Sequence, residues 1–278
     1  MMLTRLPGPR LSPFVKILWA SDQAASPGSV AADRERVLPT GGMHLVFRLS
    51  DHPLRLFNDI NDPIGYRVGH MIVGGARAAF YVREISQPVS SVGAQLRPGT
   101  AELLFGVPAG ELAGRHTPLE DLWGPSAVEA RERLIEAGGL QPRLDVLEAL
   151  LAARLPTVRG LHPAVAQALE RFTTTADVRQ AVKESGYSHR RFIALFHRGL
   201  GLTPKLYCRV LRFQEALEQV AAHAAASLVE VALDAGYSDQ AHFNREFREF
   251  AGVSPGEYRE LVPAFPHHVP IHSRPANT

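Results

Sequence analysis

The sequence has little of several features that support covalent cross-links or membrane insertion. Cys208 is the one cysteine among 278 residues, which excludes an internal disulfide and a cysteine-built zinc cluster. No apolar run approaches the roughly 18 residues that a membrane span needs, and residues 1–10 lack the basic flank and apolar stretch of a secretory signal. These absences predict a cytoplasmic protein with no membrane partner. A chain of this length is expected to form two domains, each with its own core.

A large net charge is also absent, since the formal value is only +2. The distribution of charge is nevertheless uneven. Between residues 170 and 213 nine basic residues face three acidic ones, whereas between 214 and 262 three arginines face nine carboxylates. The basic segment favours a polyanionic partner, and any such interpretation has to explain the acidic segment that follows it.

The first 125 residues are rich in glycine, proline and segments that favour strands. Residues 43–49 alternate between apolar and other side chains after a Pro-Thr-Gly-Gly turn signal, which indicates a half-buried strand. Further strand candidates, separated by glycine and proline, cover residues 66–73, 79–85 and 89–96. The region is predicted to form a small antiparallel barrel or sandwich.

Helical periodicity replaces the strand patterns after residue 124. Apolar residues recur every three to four positions over residues 125–155, and Gly138-Gly139 divides this segment into two helices. We predict a helical connector and linker over residues 125–160. The tail over residues 263–278 contains prolines without apolar periodicity and is predicted to be disordered.

An internal repeat with a spacing of about 50 residues is the most informative feature of the chain. The first copy consists of Val178, Ala181, Val182, Gly186, Tyr187, Ser188, Phe192, Phe196, Gly201, Thr203, Pro204 and Tyr207. The second consists of Leu228, Val231, Ala232, Gly236, Tyr237, Ser238, Phe243, Phe247, Gly252, Ser254, Pro255 and Tyr258. The order of residue types is the same in both copies, with a one-residue slip between Ser238 and Phe243.

Each copy contains the parts of a helix-turn-helix unit. A short helix ends at Gly186 or Gly236, where glycine permits the positive φ of a sharp turn. Ser188 and Ser238 are predicted to cap the second helix of each unit, which carries aromatic residues four positions apart. From Pro204 onward, apolar residues spaced by three and four predict one long helix that holds the two units at a fixed distance.

The doubled unit, with its Gly-Tyr-Ser, paired phenylalanines and Gly-x-Thr/Ser-Pro, resembles the DNA-binding domain of AraC/XylS-type transcription regulators over residues 163–261. The amino-terminal stretches at 97–100, 103–106 and 118–124 resemble a cupin-like sensor domain attached to some members. The implied fold class is α+β and multidomain: a cupin-like β-barrel or sandwich over 1–124, the connector, and an all-α double helix-turn-helix domain over 161–262. The implied function is that of a transcription regulator without catalytic residues, cofactor or metal.

The resemblance implies that the second helix of each unit enters a major groove of double-stranded DNA, with its outward residues on base edges. In the first unit these residues are His189, Arg190, Arg191, Ile193 and Ala194. In the second unit they are Gln240, Ala241, His242, Asn244 and Arg245. Glutamine and asparagine suit adenine, and arginine suits guanine, so the second set is equipped to read sequence. The first set departs from the family at Ile193 and Ala194, where polar or basic residues are usual.

Phosphate contacts are predicted for the basic residues of the first unit, namely Arg179, Arg198, Lys205 and Arg212. Our hypothesis is that the first unit supplies affinity and the acidic second unit supplies specificity. The amino-terminal domain is expected to bind a small-molecule effector, a second copy of the chain, or both. RNA polymerase is a further partner if the protein is an activator.

Other classes of protein stay open on the sequence alone. A cupin-type enzyme would need a cluster of metal ligands, but His44, His52, His70 and His116 are scattered without a His-x-His pair. A DNA-repair alkyl acceptor would need a reactive thiol, and Cys208 lies in the predicted long helix. A purely structural adaptor is the third alternative.

Overall fold

The computed structural model describes residues 1–23, 33–155, 161–222 and 227–271. The predicted linker at 156–160 and the end of the predicted tail at 272–278 lie outside the described residues. Strands dominate the part before residue 119 and helices the part after it. The fold class predicted from the sequence is thereby confirmed as an α+β chain with a helical carboxyl-terminal half.

Two antiparallel sheets form the amino-terminal domain. The strands within it are β1 (Met2–Arg5), β2 (Val15–Gln23), β3 (Arg34–Val37), β4 (Met43–Arg48), β5 (Leu54–Phe57), β6 (Tyr66–Gly69), β7 (Met71–Gly74), β8 (Tyr81–Glu84), β9 (Val89–Leu96) and β10 (His116–Pro118). The first sheet has the order β1-β2-β9-β4-β7-β10. The second sheet has the order β11-β3-β8-β5-β6, in which β11 (His268–Ile271) comes from the far end of the chain. Both sheets are open, so the domain is a sandwich and not the closed barrel that was the other expectation.

The main core of the domain lies on one face of the first sheet. Strand β4 alternates as predicted, and Met43, Leu45 and Phe47 are buried on that face. Helices cover it, and they are α1 (Thr100–Phe105), α2 (Ala109–Leu112), α3 (Glu120–Trp123), α4 (Ser126–Glu136) and α5 (Leu140–Arg154). The two helices of the predicted connector, α4 and α5, contribute Leu134 and Leu144 to this same core. The connector is therefore packed on the sensor domain along its length.

The carboxyl-terminal half consists of helices α6 to α12. They are α6 (Pro163–Arg171), α7 (Val178–Ser185), α8 (His189–Leu200), α9 (Pro204–Ala222), α10 (Leu228–Asp234), α11 (Gln240–Ala251) and α12 (Pro255–Leu261). Gly186 ends α7 with φ of 69°, and Gly236 follows α10 with φ of 77°, so both predicted turns use the backbone freedom of glycine. The first unit packs on the start of α9 and the second on its remainder. The predicted long helix is continuous over 19 residues, or about 28 Å.

The cap of the second recognition helix differs from the prediction. Ser188 caps α8 by accepting a hydrogen bond from the Arg191 amide. In the second unit, however, Asp239 is the cap of α11 and accepts from the His242 amide at 2.7 Å, so the prediction for Ser238 is wrong. The one-residue slip in the repeat places the carboxylate of Asp239 at the position that Ser188 occupies in the first unit.

The predicted disorder of the tail is also wrong for residues 263–271. Strand β11 pairs antiparallel with β3, His268 opposite Val37 and Ile271 opposite Arg34. Val269 is fully buried and joins Leu38 in the core of the second helix-turn-helix unit. The carboxyl-terminal segment is thus a strand of the sensor domain and part of the core beneath α11, which anchors one domain to the other.

Candidate DNA-binding surface

The first recognition helix, α8, separates a buried aromatic face from an outward polar face. Phe192 and Phe196 have no exposed surface and pack on each other with ring centroids 6.1 Å apart. His189, Arg190 and Arg191 are exposed at the start of the helix, as predicted for residues that meet DNA. Among the other predicted contacts, Ala194 is exposed and Ile193 is half-buried. The structure thus gathers all five residues on one helix.

The second recognition helix, α11, repeats this division. Phe243 and Phe247 are fully buried, and the outward residues Gln240, Ala241 and Arg245 are exposed. The two remaining predicted contacts, His242 and Asn244, are half-buried.

Because His242 and Asn244 are half-buried, contacts within the unit constrain their side chains. The His242 ring packs edge-on against Tyr237 at 5.3 Å, and its Nδ1 lies 3.1 Å from the Ser238 hydroxyl. This hydrogen bond orients the imidazole within the turn of the unit. The Asn244 Oδ1 is buried without a hydrogen-bond partner among the described residues. A buried amide oxygen that lacks a partner costs free energy, and this oxygen is less accessible to a base than the exposed side chains of Gln240 and Arg245.

The four predicted phosphate contacts fall into two groups. Arg179 and Lys205 are exposed, and no ion pair involves either side chain within the described ranges. The other two, Arg198 and Arg212, already bind carboxylates. Arg198 donates to Glu102 of α1 at 2.6 Å, a pair that is exposed on both sides. Arg212 donates to the buried carboxylate of Glu246.

Glu246 of α11 binds two arginines of α9. The carboxylate is only 4% exposed; it accepts from Arg209 Nε at 2.7 Å and from Arg212 Nη2 at 2.8 Å. Arg212 also lies 4.5 Å above the Tyr237 ring. Burial raises the pKa of Glu246, but hydrogen bonds and charges from Arg209 and Arg212 outweigh it and leave the pKa below its ordinary value. These contacts fix α11 on α9 and compete with a phosphate contact of Arg212.

Sequence reasoning missed this network. The count of acidic residues in the second unit included Glu246, although its single negative charge is shared by two arginines of α9. The signal that could have found it is the spacing of three between Arg209 and Arg212, which puts both guanidinium groups on one side of a helix.

The sensor domain lies beside the first recognition helix. Helix α2 packs on α8, and a cleft of about 610 Å³ opens between them. Arg191 and Ala194, both predicted to contact DNA, line this cleft together with Pro108 and Glu111. Glycine at position 110 permits the close approach, since a Cβ there would lie 2.7 Å from His197 Nδ1. Part of the α8 surface therefore faces the sensor domain.

Two alternatives from the sequence can be set against the structure. Burial raises the pKa of the Cys208 thiol to about 11, which disfavours the thiolate that an alkyl acceptor needs. The four histidines considered as metal ligands separate into His44 with His116, which are close together, and His52 and His70 elsewhere. No group of three or more His, Cys, Asp or Glu side chains able to hold a metal ion occurs within the described part of the chain. Every helix in the same part is too short or too polar to cross a membrane.

The fold and the surface together define a class of protein, one in which two capped helix-turn-helix units are joined by a single rigid helix. Residues 181–261 match the family described as "Helix-turn-helix domain", and residues 3–118 match a "Domain of unknown function (DUF6597)". The resemblance drawn from the repeat is confirmed. The carboxyl-terminal part of the chain contains a helix-turn-helix domain of the AraC type, and the amino-terminal part contains a domain of the DUF6597 type.

Known proteins share parts of this chain. An uncharacterized HTH-type transcriptional regulator of Haemophilus influenzae is 27% identical over 107 residues, which cover 37% of this chain and 35% of the relative. The match thus spans about a third of that relative's length. Among solved structures, ToxT from Vibrio cholerae is 8% identical with a TM-score of 0.45, covering 95% of this chain and 99% of that one. The xylose-binding transcription activator xylR is 18% identical with a TM-score of 0.31, covering 51% and 39%.

Proposed function

We propose that the protein is a sequence-specific regulator of transcription that binds double-stranded DNA through α8 and α11. The observation that carries this proposal is the pair of helices that each bury an aromatic face and expose polar residues at their start. Such a helix fits a major groove, and a rigid helix between two of them fixes the spacing of the grooves they enter. A regulator of this kind acts where chromosomal DNA is, in the cytoplasm that the sequence predicted.

We propose that the first unit supplies most of the affinity for DNA and that the second unit supplies the sequence specificity. Arg179, Arg190 and Lys205 supply positive charge to phosphates around the first unit, which gives affinity with little sequence information. Gln240 and Arg245 present bidentate groups to base edges from the second unit. The acidic character of the second unit then has a structural reason, since part of its negative charge forms ion pairs with arginines of α9.

The test is an electrophoretic mobility shift with the DNA upstream of the protein's own gene and with an unrelated duplex. Arg190→Ala is expected to weaken binding to both duplexes, because a phosphate contact is indifferent to sequence. Arg245→Ala is expected to cost about 1–3 kcal/mol on the specific duplex only. Arg67→Ala, which removes an exposed arginine from the distant strand β6, is the matched control. Equal losses on both duplexes for Arg245→Ala would contradict the division.

Regulation is proposed to act through the position of the sensor domain. Because α2 lies beside α8, a shift of the sensor domain changes how much of the α8 surface DNA can reach. An effector or a second copy of the chain would favour one position over the other, as a shift between two populated states. A contact with RNA polymerase, if the output is activation, stays a prediction.

A further inference from the structure

The space between the two sheets of the sensor domain is lined mainly by polar and charged side chains. Its apolar contact is small, formed by Ile72 of the first sheet with Leu54 and Leu56 of the second. Because Met43, Leu45 and Phe47 point to the helical side of the first sheet, the alternate residues of β4, His44 and Arg48, point toward the second sheet.

The second sheet contributes further polar groups to the same space. Tyr81 of β8 packs with the intersheet apolar cluster, so Arg83, two residues further along β8, points the same way. Arg83 donates to Glu35 at 2.6 Å, and Glu35 lies 2.7 Å from His268 Nδ1 of β11. Glu35 is thus committed to two partners.

Arg77, like the more deeply buried Arg48, forms no ion pair with a carboxylate among the described residues. Its guanidinium donates to the carbonyl oxygen of Arg115 at 3.0 Å and lies 3.2 Å from His116 Nδ1. It also lies 4.5 Å above the Tyr81 ring. No carboxylate forms an ion pair with Arg77 in the ranges that the structure describes, and burial lowers the pKa of Arg77. A half-buried charge inside a domain is stabilised by a counter-ion, and no described carboxylate supplies one to Arg77.

Two histidines border Arg77 and add hydrogen-bonding groups without adding charge. Burial and the nearby charge of Arg77 lower the pKa of His44 to about 4 and that of His116 to about 3. The His116 ring packs edge-on against Tyr81, with centroids 4.4 Å apart. Both imidazoles are neutral at pH 7. His116 accepts from Arg77 at Nδ1, so its Nε2–H can donate to a ligand. His44 Nε2 lies 3.1 Å from the Thr40 hydroxyl, and when it accepts from that hydroxyl its Nδ1–H is the free donor.

The polar side chains that face this space are only partly covered by packing. The Arg83 side chain on the inner strand β8 retains 27% of its surface, and the His268 side chain on the edge strand β11 retains 32%. His44, Arg77, Tyr81 and His116 are likewise only half-buried. Polar side chains that are set deep in a domain and still accessible are typical of a ligand site.

We propose that the space between the two sheets binds a small organic anion, a carboxylate or a phosphate, whose charge pairs with Arg77 while His44 and His116 donate hydrogen bonds to it. Anion binding at this site is independent of the proposed function, whereas the role of the anion as effector rests on the proposed function. Because β11 follows directly from the DNA-binding half and carries His268 at the edge of the space, an anion there is placed to influence how that half is anchored.

The test is isothermal titration calorimetry of the full chain at constant ionic strength, with succinate and inorganic phosphate as separate probes. Succinamide, which has the shape of succinate without its charge, is the matched ligand control. Binding of either anion and not of succinamide is expected, and the anion that binds identifies the class. Arg77→Gln is expected to weaken binding at least about tenfold, as for loss of a desolvated charge pair, whereas Arg67→Gln on the exposed side of β6 leaves it unchanged.

A second variant covers the case in which Arg77→Gln fails to fold. His116→Phe keeps a ring against Tyr81 and deletes both ring nitrogens, and it is expected to weaken anion binding several-fold. Absence of anion binding to the wild-type chain, or unchanged binding by folded Arg77→Gln, would overturn the proposal. The measurement contains no DNA, so its failure leaves the proposal of DNA binding standing, and failure of the mobility shift leaves this one standing.

Discussion

Replacing Arg212 by methionine separates two roles that the sequence and the structure assign to this residue. The sequence predicts a phosphate contact, whereas the structure gives Arg212 three hydrogen bonds to the carboxylate of Glu246, at 2.8, 2.9 and 3.1 Å. Methionine preserves most of the aliphatic stem and removes the guanidinium. If the role of Arg212 is structural, the variant loses stability; if it is a phosphate contact, the variant loses part of the salt dependence of DNA binding.

The structural role predicts a loss of stability. A hydrogen bond to a charged group contributes about 1.5–3 kcal/mol, and a cation above an aromatic ring adds about 0.5–1 kcal/mol. Glu246 retains Arg209 as a partner at 2.7 Å, so the carboxylate is not left unpaired in the variant. We therefore expect Arg212→Met to lower the free energy of unfolding by about 2–4 kcal/mol, as measured by urea denaturation at pH 7.

The phosphate role predicts a change in salt dependence. Each phosphate contact contributes about 0.9 to the slope of log K against log of salt concentration. If Arg212 is structural, the slope measured by fluorescence anisotropy on duplex DNA stays as in the wild type. The control is Lys205→Met, which removes an exposed cation from the same helix: its slope should fall by about 0.9, with stability within about 0.5 kcal/mol of the wild type. A reduced slope with unchanged stability for Arg212→Met would refute the reasoning.

Three further predictions concern stability and the position of the sensor domain. Burial raises the pKa of Glu35, but Arg83 and His268 outweigh it and hold the pKa at about 2 against an ordinary 4.5. The ionised Glu35 should therefore contribute about 3 kcal/mol to the free energy of unfolding above pH 4.5, and this contribution is lost as the pH falls from 4.5 toward 2. Urea denaturation at pH 7 and at pH 3 should show a smaller loss of stability for Glu35→Gln than for the wild type, and equal losses would contradict this. Gly110→Leu should displace α2 from α8, because the Cβ of the new side chain would lie 3.1 Å from the carbonyl oxygen of His197. The displacement should expose more of α8 and raise DNA affinity several-fold in the mobility shift, and unchanged affinity would argue against control by the sensor domain. Phe247→Ala should cost about 3–5 kcal/mol of unfolding free energy, because its fully buried ring fills the core of the second unit, and a cost under about 1 kcal/mol would contradict that packing.

Helix ends and buried helix faces could be predicted from the sequence, because they depend on residues within a few positions of one another. Gly186 and Ser188 act within one turn of the helices they end and begin, so the residue type alone identifies their roles. The aromatic pairs at spacing four also follow from helix geometry, and all four phenylalanines are fully buried. Asp239 shows the limit of this reasoning, since a single inserted residue moved the cap from the serine that the repeat suggested.

Features that depend on distant residues could not be predicted in the same way. Strand β11 has its partner, β3, more than 230 positions earlier, and a four-residue strand with two prolines nearby has no periodicity to reveal it. His44 and His116 were among the histidines that looked scattered because they lie on separate strands of one sheet, and Arg77 gave no signal in the sequence. The pairing of β7 with both β4 and β10 places the two histidines on either side of Gly74.

The two helix-turn-helix units are attached to the sensor domain by unequal means. The second unit shares a buried apolar core with Leu38 and Val269 and is followed directly by the paired strand β11. The first unit is attached to the helical side of the sensor domain. Helix α8 packs on α2, and Leu202, which follows α8, is buried in the core of the sensor domain. The exposed ion pair of Arg198 with Glu102 adds about 1 kcal/mol or less to this packing. Because the two units contact different parts of the sensor domain, a displacement of α2 would act on α8, the helix to which we assign affinity, and a displacement of β11 would act on the sequence-reading helix α11.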